Sequence, residues 1–155
     1  MNPYDKGFAV RILSTLIFLL AIRKNTLNFN LFLPIALTAL DGIDSYYSAV
    51  TPGWQNSFAY KIRDKIADSL SYFFVFMLFP MEIEYLWLVM YRILGVLLFG
   101  VTRKVEWLIA APDLAKEFLL YKAVYGENMS VFPAVVILKV LFELYHHTVY
   151  DPLQR

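Results

Sequence analysis

The sequence predicts an all-α integral membrane protein, a bundle of six transmembrane helices forming one membrane domain over residues 1–155. Two observations predict it. Hydrophobic residues make up 59% of the chain and charged ones 17%, with a mean hydropathy of +0.54; soluble domains usually carry about 25% charge. The apolar residues also fall into six runs of roughly the 20 residues that a membrane-crossing helix needs.

The first run, 7–22, reads "GFAVRILSTLIFLLAI". Arg11 interrupts it, no small-residue cleavage site follows, and "AIRKN" closes it as a polar stop, so it reads as a retained helix rather than a signal peptide. The second, 28–50, contains "LFLPIALTAL" followed by "DGIDSYY". The third and fourth cover 62–80 and 83–102. The fifth, 105–125, holds Pro112, Asp113, Lys116, Glu117 and Lys122, so part of it is expected at the interface or facing a cavity. Asp113 and Glu117 there read as a polar face. The sixth covers 130–149. "TPGWQN", "FPMEIE" and "GENMS" mark breaks, and Trp54, Trp87 and Trp107 stand near expected helix ends, where interfacial aromatics belong.

Basic residues in short loops set orientation. A cytosolic N-terminus puts Lys61, Arg63, Arg103 and Lys104 on the cytosolic side. Glu82, Glu84 and Glu127 fall on the other, together with Arg23 and Lys24, which count against that assignment. A net charge of +1 without a basic patch predicts no nucleic-acid partner. The chain has no cysteine, which excludes disulfides and thiolate chemistry. It shows no Gly-rich phosphate loop and no Ser-His-Asp arrangement, and the adjacent His146 and His147 would point about 100° apart on a helix.

Carboxylates stand out against this apolar background. Asp41 and Asp44 are three apart near the end of the second helix, about 60° apart around its axis. Asp64 and Asp68 are four apart near the start of the third, about 40° apart. A short connection makes these helices antiparallel neighbours, so the pairs arrive at one membrane depth and converge on a pocket. Like charges that close repel. Hard carboxylate oxygens suit Mg²⁺ or Mn²⁺, and the lack of a good His or Cys partner argues against zinc. Asp41, Asp44, Asp64 and Asp68 are therefore the candidate metal ligands.

These acids resemble the signature of the CDP-alcohol phosphatidyltransferases, membrane enzymes of phospholipid synthesis, written D-x2-D-G-x2-A-R-x8-G-x3-D-x3-D. "DGID" supplies Asp41 and Asp44; "DKIAD" supplies Asp64 and Asp68. "DKIADSLSYF" is similar to the family's "DxxADxxSF" wording through Ala67, Ser71 and Tyr72. The likeness covers residues 41–68. Ser45 and Tyr60 stand where the signature has glycine, Ser48 and Ala49 where it has Ala-Arg, and two residues are inserted between the acidic pairs.

The resemblance implies a six-helix bundle of that family's type. It implies transfer of a phosphatidyl group from a CDP-linked lipid such as CDP-diacylglycerol to a small hydroxyl acceptor, with release of CMP. Two divalent ions, Mg²⁺ or Mn²⁺, would be held by Asp41, Asp44 and Asp64, with Asp68 nearby as the base. Arg92, Lys61, Arg63, Arg103 and Lys104 are candidates for substrate phosphate, and members of such families often pair as homodimers. Arg92 lies mid-span, so it is expected to face the bundle interior. Two alternatives stand beside the enzyme. One is a non-catalytic relative acting as a membrane binding or regulatory protein, favoured by Ser45, Ala49 and Tyr60. The other is a small cation transporter.

Overall fold

The computed structural model describes residues 2–25, 29–54, 57–79, 81–126 and 128–150, and every regular element among them is helical. Asn28 and Pro80, at expected span ends, and Glu127 lie outside the described residues. The elements are α1 (Pro3–Asn25), α2 (Phe29–Ser48), α3 (Phe58–Leu78), α4 (Ile83–Thr102), α5 (Glu106–Ala110), α6 (Leu114–Tyr125) and α7 (Phe132–Tyr145). A π-helical turn, His146–Tyr150, extends α7.

Local chemistry explains the boundaries. Asp5 sits in the first turn of α1 and Arg23 and Lys24 in its last, each complementing the helix dipole. Arg103 closes α4 in a left-handed conformation (φ 58°), its N–H donating to the Phe99 carbonyl at 2.8 Å. Pro133 occupies the first turn of α7, where a missing N–H costs nothing.

The expected fifth helix, 105–125, does not form as one span. It divides into the five-residue α5 and the twelve-residue α6, because Pro112 cannot donate a helical hydrogen bond. Arg92 satisfies the carbonyls left at the break, donating to Ala111 O at 2.6 Å and Leu108 O at 3.4 Å. Among the described residues one helix, α4, is long and apolar enough by itself to cross a membrane. Helices α1, α2 and α3 have 23, 20 and 21 residues, but carry charges within them.

Packing corrects one further expectation. Helices α2 and α3 run antiparallel with their acidic pairs level, yet they touch each other little. Instead α1 packs extensively against both, lying antiparallel to α2 and parallel to α3. The cause is electrostatic as well as steric: direct apposition would face four carboxylates across an apolar seam, whereas α1 brings a cation between them. Beyond this layer, Leu19, Leu33, Leu37, Val75, Val89 and Phe118 form the main apolar core.

Candidate functional site

The site begins with a close approach. A Cβ added to Gly7 would lie 3.0 Å from the Asp44 Cα and 3.1 Å from the Tyr47 Cβ, so glycine lets α1 settle directly on α2. One turn later Arg11 emerges from α1 on the same seam. Its Nη1 lies 3.1 Å from Asp44 Oδ2 and 3.0 Å from Asp64 Oδ1; its Nη2 lies 2.5 Å from Asp41 Oδ1 and contacts Asp68 Oδ1. One guanidinium thus touches all four aspartates. Its fixed fork of donors suits such a task better than the point charge of a lysine.

The remaining oxygens have their own neighbours. Asp44 Oδ1 accepts from the Ser45 N–H at 3.0 Å. Lys65 Nζ lies 2.7 Å from Asp64 Oδ2 and 3.7 Å from Asp68 Oδ2. Lys116, from α6, reaches to 3.9 Å of Asp41 Oδ2. The Arg11 side chain is 3% exposed and that of Asp41 38%, so the cluster opens to the outside at Asp41. Asp41, Asp44 and Asp64 each offer a carboxylate oxygen within 4.8 Å of the other two. That hard-oxygen donor set fits Mg²⁺ or Mn²⁺. Asp68 stands outside this triad and is joined to it through Arg11.

Around the acids, Ser45 Oγ and Tyr60 Oη are hydrogen-bonded at 2.8 Å. They occupy the two positions where the resembling signature has glycine. In comparisons with known proteins, no family model, no curated protein and no solved structure matches the chain. The site is therefore read from its own residues.

The expected phosphate-binding residues are dispersed. Arg63 is engaged by Asp5, with Nε at 2.7 Å and Nη2 at 2.6 Å from Oδ1, and donates to Ala59 O at 2.8 Å. Arg103 and Lys104 are exposed on the turn after α4, with the Arg103 guanidinium 5.0 Å from the Phe58 ring centre. Lys61 is half-buried on the first turn of α3. Arg92 faces the interior as expected, but its Nη1 serves backbone carbonyls of the α5–α6 junction.

Arg11 and Lys116 are the site residues that sequence reasoning missed, whereas Lys65 follows Asp64 directly and is the cation that its place in the sequence offers that acid. A signal for Arg11 existed: an ionisable residue within an apolar span is a functional candidate by default. The rule that turns Arg92 to the interior turns Arg11 inward as well. Asp113, expected on a polar face, is instead buried and accepts a hydrogen bond from the Tyr72 hydroxyl at 2.8 Å. The pair sits one turn past Asp68 on α3. Glu117 meets Lys139 of α7 at 3.4 Å.

Proposed function

We propose that this chain is a multi-pass integral membrane enzyme of the CDP-alcohol phosphatidyltransferase type. It would transfer a phosphatidyl group from a CDP-linked lipid to a small alcohol, releasing CMP. The observation that carries the reading is the convergence of Asp41, Asp44, Asp64 and Asp68 from two helices on one centre.

Asp41, Asp44 and Asp64 would hold divalent metal, which supplies positive charge to neutralise the donor's pyrophosphate and the departing CMP. Asp68 takes the proton from the acceptor hydroxyl as its oxygen bonds to the lipid-side phosphorus and the bond to CMP breaks. Arg11 and Lys65 flank Asp68 and orient its carboxylate. The exposed edge at Asp41 admits the head groups. Beside it, between α2 and α6, lies a mainly apolar groove of about 410 Å³ lined by Pro34, Ile35, Thr38, Ala39 and Leu120 together with Lys116 and Glu117. Such a groove suits an acyl chain whose phosphate end must reach the acids.

Membrane placement is supported by where the charges and the apolar surface lie. Charges that interrupt α1 and α3, Arg11, Asp64 and Asp68, turn inward. Large apolar side chains point outward, among them Leu13, Ile17, Phe32, Ile35, Trp87 and Leu97, each more than half exposed. Arg103 and Lys104 share the site's end of the bundle, which favours a cytosolic site by the positive-inside rule.

A second reading, a non-catalytic relative that binds metal or lipid, is favoured by the Ser45–Tyr60 hydrogen bond across the positions where the resembling signature has glycine. Metal-dependent CMP release from CDP-diacylglycerol by the purified protein, lost in Asp44→Asn, tests the enzymatic reading against it.

A further inference from the structure

The groove between α2 and α6 has mainly apolar walls, yet a lysine stands in it. We propose that Lys116 is a phosphate anchor: the groove seats the head-proximal part of one acyl chain of a phospholipid, and the Lys116 ammonium holds that lipid's phosphate. The lipid's role as a substrate rests on the reading above; its binding does not.

The first support is geometric. Pro34, Ile35, Thr38 and Ala39 of α2 line the groove together with Leu120 of α6. Those α2 residues cover about 8 Å of helix axis, enough for the first methylenes of a chain and not for all of it. Ile35 is 55% exposed and Leu120 43%, so the groove opens sideways on the outer surface of the bundle. The Thr38 hydroxyl is spent on the Pro34 carbonyl at 2.8 Å and does not compete for a ligand. Lys116 lies one turn before Leu120 on α6 and comes within 3.9 Å of Asp41 Oδ2. The charged end of the groove therefore adjoins the acidic cluster.

Charge supplies the second support. Glu117, which shares the groove, is met by Lys139 of α7 at 3.4 Å. Asp41 does not depend on Lys116, because its other oxygen lies 2.5 Å from Arg11 Nη2. The 3.9 Å separation is too long for a hydrogen bond, and Lys116 donates none among the described residues. An ammonium has three donors, so the groove offers unspent donors at the end of an apolar wall. A phosphate joined to hydrocarbon complements both. Diacylglycerol would leave the donors unmet, and free phosphate would leave the walls uncovered.

The test is lipid binding to the full chain in detergent, followed by native mass spectrometry. Dioleoyl phosphatidic acid carries the phosphate and both chains without a nucleotide; dioleoylglycerol lacks the phosphate. The wild type is expected to hold the phosphatidic acid about tenfold more tightly. Lys116→Gln should abolish that preference and Lys116→Arg should keep it. Both are expected to fold, since a long, part-exposed ion pair contributes little to stability. Leu120→Trp, which fills the groove, should weaken both lipids, and inorganic phosphate at the same concentration should displace neither. Equal affinity for the two lipids, a preference that survives Lys116→Gln, unchanged binding in Leu120→Trp, or displacement by inorganic phosphate would each overturn the inference. Lys116-dependent binding by a chain that releases no CMP would keep it and remove the enzymatic reading. CMP release with a KM for CDP-diacylglycerol unmoved by Lys116→Gln would do the reverse.

Discussion

The hydroxyls of Ser45 and Tyr60 lie 2.8 Å apart, tying the end of α2 to the first turn of α3 beside the acidic cluster. The Tyr60 ring is further held edge-on by Trp54 at 4.5 Å. Glycines at both positions would leave this wall open. Removing only the hydroxyl, Tyr60→Phe, should cost about 1 kcal/mol of stability, seen as a lowered melting temperature in detergent, with CMP release retained. If the wild type is silent and the combined Ser45→Gly, Ala49→Arg and Tyr60→Gly variant gains turnover, the non-catalytic reading is the right one.

Arg11 is predicted to be the most sensitive position for folding. Arg11→Met removes the one cation that touches all four acids and leaves Lys65 and Lys116 at the edges of the cluster, and removing one partner of such a buried arrangement costs about 3–5 kcal/mol. The wild type should therefore stay folded in chelator, whereas Arg11→Met should unfold there and recover part of its stability with Mn²⁺. Thermal melts in both conditions check this. Equal melting of the two proteins in chelator would show that Arg11 does not balance the cluster.

Two glycines give opposite expectations. A Cβ at Gly7 meets the Asp44 backbone and the Tyr47 side chain at 3.0–3.1 Å, so Gly7→Val should push α1 from α2, destabilise by about 1–3 kcal/mol and weaken Mn²⁺ binding. At Gly42, on the same helix as Asp44, nothing lies within 4 Å of an added Cβ. Gly42→Ala should be neutral or stabilise by about 0.5–1 kcal/mol. Chemical denaturation of both variants separates a close-packing role from mere proximity to the acids.

The Tyr72–Asp113 hydrogen bond joins α3 to the start of α6, and Asp113 Oδ1 already lacks a partner among the described residues. Tyr72→Phe should cost about 1–3 kcal/mol, because a buried acceptor is left unmade. The loss should register in stability while the Mn²⁺ count stays unchanged, since Tyr72 touches none of the triad. A changed count would place this pair within the metal site.

Much of the layout was legible in the residues. The 3.6-residue period put Asp41 with Asp44 and Asp64 with Asp68, and the short α2–α3 connection set the two pairs level. Helix α4 is recovered as 83–102, the range expected for it. What escaped was long-range. Nothing in the spacing of α2 and α3 says that a third helix lies between them, and Arg11 reads as an interruption in an apolar run rather than the partner of acids 30 or more residues away. The break in 105–125 had a local sign, Pro112, but the burial of Asp113 depends on Tyr72 from another helix. The engagement of Arg63 by Asp5 is of the same kind.

The most direct measurement is CMP release from CDP-diacylglycerol by the purified protein in detergent, with Mg²⁺ or Mn²⁺ and a panel of small alcohols. Asp44→Asn and Asp68→Asn would run in parallel. Metal-dependent turnover by the wild type with at least one alcohol, abolished in both variants, is the predicted result. No release with any alcohol, from folded protein that still binds Mn²⁺, would contradict the enzymatic assignment and leave the metal-binding reading alone.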